Sequence, residues 1–176
     1  QQIFFDVFHA QKIFPLAFAT IAGSMGIGSL VNSRLVSRFG ARRLSQSALI
    51  AFILIAAVHL AVILAGQETI VTFMVLQAMT MMTVAFTASN FSAISMEPFS
   101  KGAGVASSFQ AFLTTAVSSA LGSLVGRAFD GTTLPFTLGL LVFGSGSLLI
   151  VFWAERGKLF TRPHLNALRD DFEAMH

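Results

Sequence analysis

Cysteine is absent from the 176 residues, which excludes disulfides, Fe–S clusters and thiol catalysis. Charge is scarce: Asp, Glu, Lys and Arg make up 11% of the chain, against about a quarter in ordinary soluble domains. The groupings that carry enzyme chemistry are missing too. No paired carboxylates, no Cys/His cluster at metal-ligand spacing and no Gly-rich phosphate loop ending in Lys-Ser or Lys-Thr occur, and His9, His59, His164 and His176 lie far apart in the chain. No catalytic dyad of an intramembrane protease stands within the apolar segments either. The expectation is a protein that is not an enzyme and uses no metal or cofactor.

What is present is apolar. Hydrophobic residues make up 55% of the sequence, and the mean hydropathy is +0.77. Charged residues leave five windows free, at 13–33, 44–67, 69–96, 102–126 and 131–154, of 21, 24, 28, 25 and 24 residues. About 20 apolar residues cross the roughly 30 Å of bilayer hydrocarbon as a helix, so each window suffices for one crossing with some tilt. A surface helix of a soluble protein would show a charged face at a 3.6-residue period, and none of these windows does. The fold predicted is an all-α bundle of five transmembrane helices, with spans near 13–33, 44–65, 69–96, 102–126 and 133–154. Residues 1–12 are expected to form an outer loop and the end of a preceding helix, and 155–176 a cytoplasmic tail in which Pro163 starts a helix with Leu165, Leu168, Phe172 and Met175 on one face.

Splitting the chain at these windows places Arg34, Arg38, Arg42, Arg43, Lys101, Arg156, Lys158, Arg162 and Arg169 on one side, and only Lys12 and Arg127 on the other. Short cytoplasmic loops retain Lys and Arg, so the C-terminus is predicted inside and the N-terminus of this chain outside, in a plasma or inner membrane. The pI near 10.2 is therefore read as orientation, not nucleic-acid binding. The chain starts Gln1-Gln2-Ile3 without an initiator Met or a signal segment, so the expectation is a C-terminal piece whose N-terminal half is a partner.

Within the third span Phe73, Gln77, Thr80, Thr83, Thr87 and Asn90 recur at steps of three and four, along one drifting stripe. Polar groups facing lipid are costly, so the stripe should face protein or a water-filled cavity. Met74, Met79, Met81 and Met82 surround it with polarizable bulk suited to varied apolar ligands. The stripe suits contact with a small-molecule substrate and hydrogen bonding between helices equally well. The fourth span adds Ser107, Ser108, Gln110, Thr114, Thr115, Ser118 and Ser119 with Phe109 and Phe112, and its first half is expected to line the same cavity, chiefly through Phe109, Gln110 and Thr114. Small residues punctuate the spans at Gly23, Gly26, Gly28, Gly139, Gly144 and Gly146, and Gly122 and Gly126, extended back through Ser119 and Thr115, form a predicted packing face. His59 is the one group within the windows that titrates near neutrality; without a carboxylate in its span it is read as a packed neutral side chain.

Between the first two spans the chain reads Asn32-Ser33-Arg34-Leu35-Val36-Ser37-Arg38-Phe39-Gly40-Ala41-Arg42-Arg43. This resembles the cytoplasmic signature of the major facilitator superfamily, Gly-x-x-x-Asp-Arg-x-Gly-Arg-Arg. Arg38, Phe39, Gly40, Arg42 and Arg43 fit the pattern, while Ser33, Ser37 and Ala41 replace its Gly, Asp and Arg. The degenerate form is similar to the copy in the second half of such transporters. Phe4-Phe5-Asp6-Val7-Phe8, Glu97-Pro98-Phe99 with Ala103-Gly104-Val105-Ala106-Ser107, and Phe129-Asp130-Gly131-Thr132-Thr133-Leu134-Pro135 resemble the drug/proton antiporter branch related to bicyclomycin and chloramphenicol exporters. The resemblance implies that the spans correspond to helices eight to twelve of a twelve-helix fold, that the third span faces a central cavity, and that the loop from Asn32 and Arg34 to Arg43 helps switch conformation. It implies export of drugs or small amphipathic molecules in exchange for protons by alternating access. Alternatives are a proton-linked importer of a small metabolite and a non-transporting membrane interaction protein built on small-residue faces.

Overall fold

A computed structural model describes residues 1–99, 102–157 and 159–160. The expected tail helix at Pro163, and Lys101, Lys158, Arg162 and Arg169, lie outside the described residues. Five α-helices follow in order: α1 Phe14–Phe39, α2 Ala41–Leu64, α3 Ile70–Met96, α4 Ala103–Arg127 and α5 Leu134–Ala154. All five are long and apolar enough to cross a membrane, and no strand occurs among the described residues. Helices satisfy every backbone group internally, as a lipid surround demands. The chain is an all-helical, multi-pass membrane protein.

The ends of the helices are written locally. Pro15 and Pro135 stand in the first turns of α1 and α5, where a missing N–H costs nothing. Thr69 and Thr72 cap α3 reciprocally, each side chain bonding the other's backbone N–H, at 3.2 and 2.8 Å. The Arg-rich stretch differs from the expected loop. Arg34 and Arg38 lie on the last turns of α1, and Arg42 and Arg43 on the first turn of α2; Gly40 alone separates the helices, at φ +81°. That backbone conformation is disfavoured for residues with a Cβ. Before α1, residues 1–12 form a π-helical turn over Ile3–Val7 and a 3-10 turn over Gln11–Ile13, and Phe4 is buried against Phe14 and Phe73.

α3 packs along both α1 and α2, and α2 packs along α5. α4 touches only a few residues of α3 and α5. The interior inverts the soluble pattern. The buried polar residues Asn32, Ser45, Gln46, His59, Gln77, Thr80, Asn90, Thr133 and Thr137 outnumber buried apolar ones, whereas Leu16, Phe18, Leu30, Leu54, Leu64, Leu149 and Trp153 point outward. In water such a surface would drive association; in lipid it is the matched surface, and the polar groups are the ones that need shelter.

Small residues fix the close contacts only in part. A Cβ on Gly28 would stand 2.8 Å from the Met82 carbonyl oxygen and 3.1 Å from the Ala85 Cβ, so α1 and α3 meet backbone to backbone there. Gly144 lies equally close to the Phe52 ring on α2, and Gly139 to Val125 of α4. Around Gly122 and Gly126 no atom of another described helix lies within 4 Å of the Cβ position. Among the described residues, that predicted packing face therefore meets no other helix.

Candidate functional site

The predicted stripe of α3 divides by depth. Phe73, Gln77, Thr80 and Asn90 are buried, and Met81, Thr83 and Thr87 are half-buried. Phe73 is not presented to a cavity. Its ring packs 5.6 Å from Phe4, 5.4 Å from Phe8, 5.5 Å from His59 and 6.5 Å from Phe136, an aromatic plug at the end of the bundle away from the arginines. Aromatic edges and faces attract at such separations. Thr80, Thr83 and Thr87 turn their hydroxyls back to carbonyls of their own helix, three or four residues earlier. Asn90 forms a reciprocal amide pair with Asn32 of α1, at 2.8 and 3.3 Å. Ser24 of α1 donates across to the Ala78 carbonyl at 2.9 Å. Hydrogen bonding between helices thus absorbs the Asn90 end of the stripe. Gln77 Oε1 is buried without a partner.

The α4 residues do not join Gln77 and Thr80. Phe109, Gln110 and Thr114 line a groove of about 630 Å³ with Ser95, Met96, Phe99, Val105 and Leu113, where the end of α3 meets the start of α4. The separation has a physical cause: α3 spends its buried face on α1 and α2, so α4 reaches only a small part of it. Thr87 opens instead on a smaller cleft of about 290 Å³ between α2, α3 and α5, lined by Phe52, Phe91, Phe143 and Ser147. Of the ten proposed contact residues, Phe73 lies in the aromatic plug, Gln77, Thr80 and Asn90 are buried, Met81 and Thr83 are half-buried, and Thr87 and the three of α4 line two separate clefts.

At the arginine-rich end the first turns of α2 act as a hub. Arg42 lies 3.4 Å from Glu97 at the end of α3 and 3.3 Å from Glu155 at the end of α5. Arg43 Nε donates to the Phe160 carbonyl at 3.2 Å, and buried Gln46 accepts from the Phe160 backbone N–H at 2.6 Å. Arg34 and Arg38 are exposed. The acidic partners of Arg42 thus lie within this chain, at the ends of α3 and α5. Arg42→Gln is expected to lower stability in detergent by about 1 kcal/mol, the scale of partly exposed ion pairs. Glu155→Gln should do the same, with little added loss in the double variant; additive losses would show that the two residues act separately.

Two members of the His59 cluster, Glu68 and Thr133, escaped the sequence reading. Glu68, in the α2–α3 connection, places Oε1 2.8 Å from His59 Nε2, nine residues back. Thr133, the N-cap of α5, donates its hydroxyl to the other carboxylate oxygen. The available signal was Glu68 itself, the lone charge between two long windows; it stands beyond the end of the helix that carries His59, so periodicity along that helix does not pair them. Beside this, in the exposed α4–α5 connection, the Thr132 hydroxyl and backbone N–H bond Asp130 and hold its carboxyl below the ordinary value. No group of three His, Cys, Asp or Glu suited to a metal occurs among the described residues.

Comparison of the chain with protein families, with characterised proteins and with solved structures finds no match in any of the three.

Proposed function

We propose that this chain forms one wall of a secondary transporter that exports small amphipathic molecules in exchange for protons by alternating access. The observation that carries the reading is α4: a helix long enough to cross the membrane, on which Ser107, Ser108, Thr114, Thr115, Ser118 and Ser119 are exposed and Gln110 half-buried. Such a polar surface is unfavourable against lipid, and a water-filled passage removes the penalty. The groove at its start joins Met96, Phe99, Phe109 and Leu113 to Gln110, Ser95 and Thr114, a mostly apolar wall with a few hydrogen-bonding groups, as small-molecule sites require. The resemblance of the Asn32–Arg43 stretch and of Glu97-Pro98-Phe99 to the major facilitator superfamily supports the same reading. Phe109 and Gln110 replace Gln77 and Thr80 as the preferred contacts, since the latter two are buried in the seam.

The test is pH-gradient-driven movement of lipophilic fluorescent dyes across membrane vesicles carrying this chain together with the rest of the transporter whose wall it forms. Phe109→Ala and Gln110→Ala are expected to change the relative rates among dyes by about tenfold, equivalent to roughly 1.4 kcal/mol, with insertion unchanged. Dye movement no faster than in empty vesicles, or identical dye profiles in both variants, would refute it. A second reading, a non-transporting membrane interaction protein, is favoured by the open faces of Gly122 and Gly126. It is distinguished by stable, transport-silent association of the chain with another membrane helix.

A further inference from the structure

His59 is fully buried in α2, yet only one of its ring nitrogens has a partner. Nε2 faces Glu68 Oε1 at 2.8 Å, Glu68 Oε2 accepts from the Thr133 hydroxyl, and the Glu68 side chain is itself only 12% exposed. Nδ1 meets nothing. On the two helices packed along or beside α2, Gln77 Oε1 of α3 and Thr137 Oγ1 of α5 are likewise buried without partners. Each lies one turn further along its helix than a residue already in the cluster: Gln77 from Phe73, which packs on the His59 ring, and Thr137 from Thr133. Buried polar atoms left unpaired are costly and uncommon, and the one on the His59 ring belongs to a buried His–Glu pair, with the other two one turn along the neighbouring helices.

We propose that His59 and Glu68 form a buried proton-binding site at the end of the bundle opposite the arginines, in which the proton enters at His59 Nδ1. With the imidazole neutral and its N–H on Nε2, that N–H donates to the Glu68 carboxylate and the pair carries one negative charge. A proton taken from water adds to the Nδ1 lone pair, giving imidazolium beside carboxylate and no net charge; release returns it to water. Nε2, Oε1 and Oε2 each hold one hydrogen bond and Nδ1 holds none, so Nδ1 is the ring position free to take the proton. A lone anion out of water is strongly disfavoured, and conversion to a neutral pair removes that penalty.

No other ionisable group faces the ring from the helices around it. The windows 13–33, 69–96 and 131–154 of α1, α3 and α5 contain no Asp, Glu, Lys, Arg or His, and His59 is the only such residue in 44–67. Asp6, His9 and Lys12 before α1, and Arg127 and Asp130 before α5, are exposed at the same end. The site stands on this geometry and does not rest on transport.

The experiment is nitrogen NMR of ring-labelled histidine in the full chain in detergent micelles, with His9, His164 and His176 replaced by Gln so that His59 reports alone. At high pH the neutral ring should carry its proton on Nε2, and lowering the pH should protonate Nδ1 in one transition. Glu68→Gln should shift the Nε2 signal at every pH, because its N–H then meets an amide oxygen in place of a carboxylate. A neutral ring protonated on Nδ1, no protonation of Nδ1 on acidification, or an Nε2 signal that Glu68→Gln leaves in place would each overturn the proposal. The tautomer is read without that variant, so a Glu68→Gln chain that failed to fold would leave the first of these outcomes decisive.

Discussion

Gly28→Leu is expected to unseat α1 from α3 and to produce the largest stability loss of any single substitution in the chain. Even a methyl at this position would stand 2.8 Å from the Met82 carbonyl oxygen, and the next obstacle is the Ala85 Cβ at 3.1 Å. Neither can swing away, since one is backbone and the other is the first atom of a buried side chain on the same helix. The helices must separate, which strips contact from Ala17 and from the Asn32–Asn90 pair further along the seam. Overpacking costs about 1–3 kcal/mol where side chains can adjust, and with backbone as the obstacle the loss should reach about 3 kcal/mol or more. Gly126→Leu is the matched control: the Cβ position there meets no atom of another described helix within 4 Å, so the same substitution should leave the midpoint within about 0.5 kcal/mol. Reversible unfolding in mixed micelles would measure both. Equal losses at Gly28 and Gly126 would mean that the helices are arranged differently.

The second large effect is expected at the amide pair. Asn32 and Asn90 are 6% and 3% exposed and bond each other twice. Asn90→Leu leaves the Asn32 amide buried without its partner, and the cost should be about 1–3 kcal/mol, the penalty of an unsatisfied buried polar group. Asn32→Leu should cost about as much. The double variant should be less damaging than the sum by about 1 kcal/mol or more, because replacing both partners removes the unpaired group. Interhelical hydrogen bonds in membrane proteins are often weaker than this, so the size of the coupling also tells how dry the seam is. Simple additivity would show that the two amides do not depend on each other.

Both effects arise at residues whose types were legible in the sequence and whose partners were not. Asn90 was visible as the last member of a polar stripe, and Asn32 as the first residue of the Arg-rich stretch. Their separation of 58 positions carries no periodic signal. The same holds for His59. Along α2 it has no carboxylate neighbour, and only the turn after Leu64 brings Glu68 back over it. Glycine spacing alone does not say which helix is met. Gly122 and Gly126 face no other described helix, while Gly28, four residues after Ser24, sits where the backbones of α1 and α3 meet.

While α1 runs on past its charge-free window through Arg34 and Arg38 and α2 carries Arg42 and Arg43 in its first turn, the sequence by itself determined the number of spanning helices and where each one's apolar stretch lies. These follow from one-dimensional facts: a charge inside the hydrocarbon is costly, so charge-free runs of about 20 residues or more declare themselves without knowledge of any neighbour. Only the tertiary structure decided which faces of those helices meet. In lipid an apolar side chain gains little by turning inward, so hydrophobic pattern does not choose the interface. Close backbone approach at Gly28, paired amides at Asn32 and Asn90, and the carboxylates that receive Arg42 and His59 make that choice, and each depends on residues far apart in the chain.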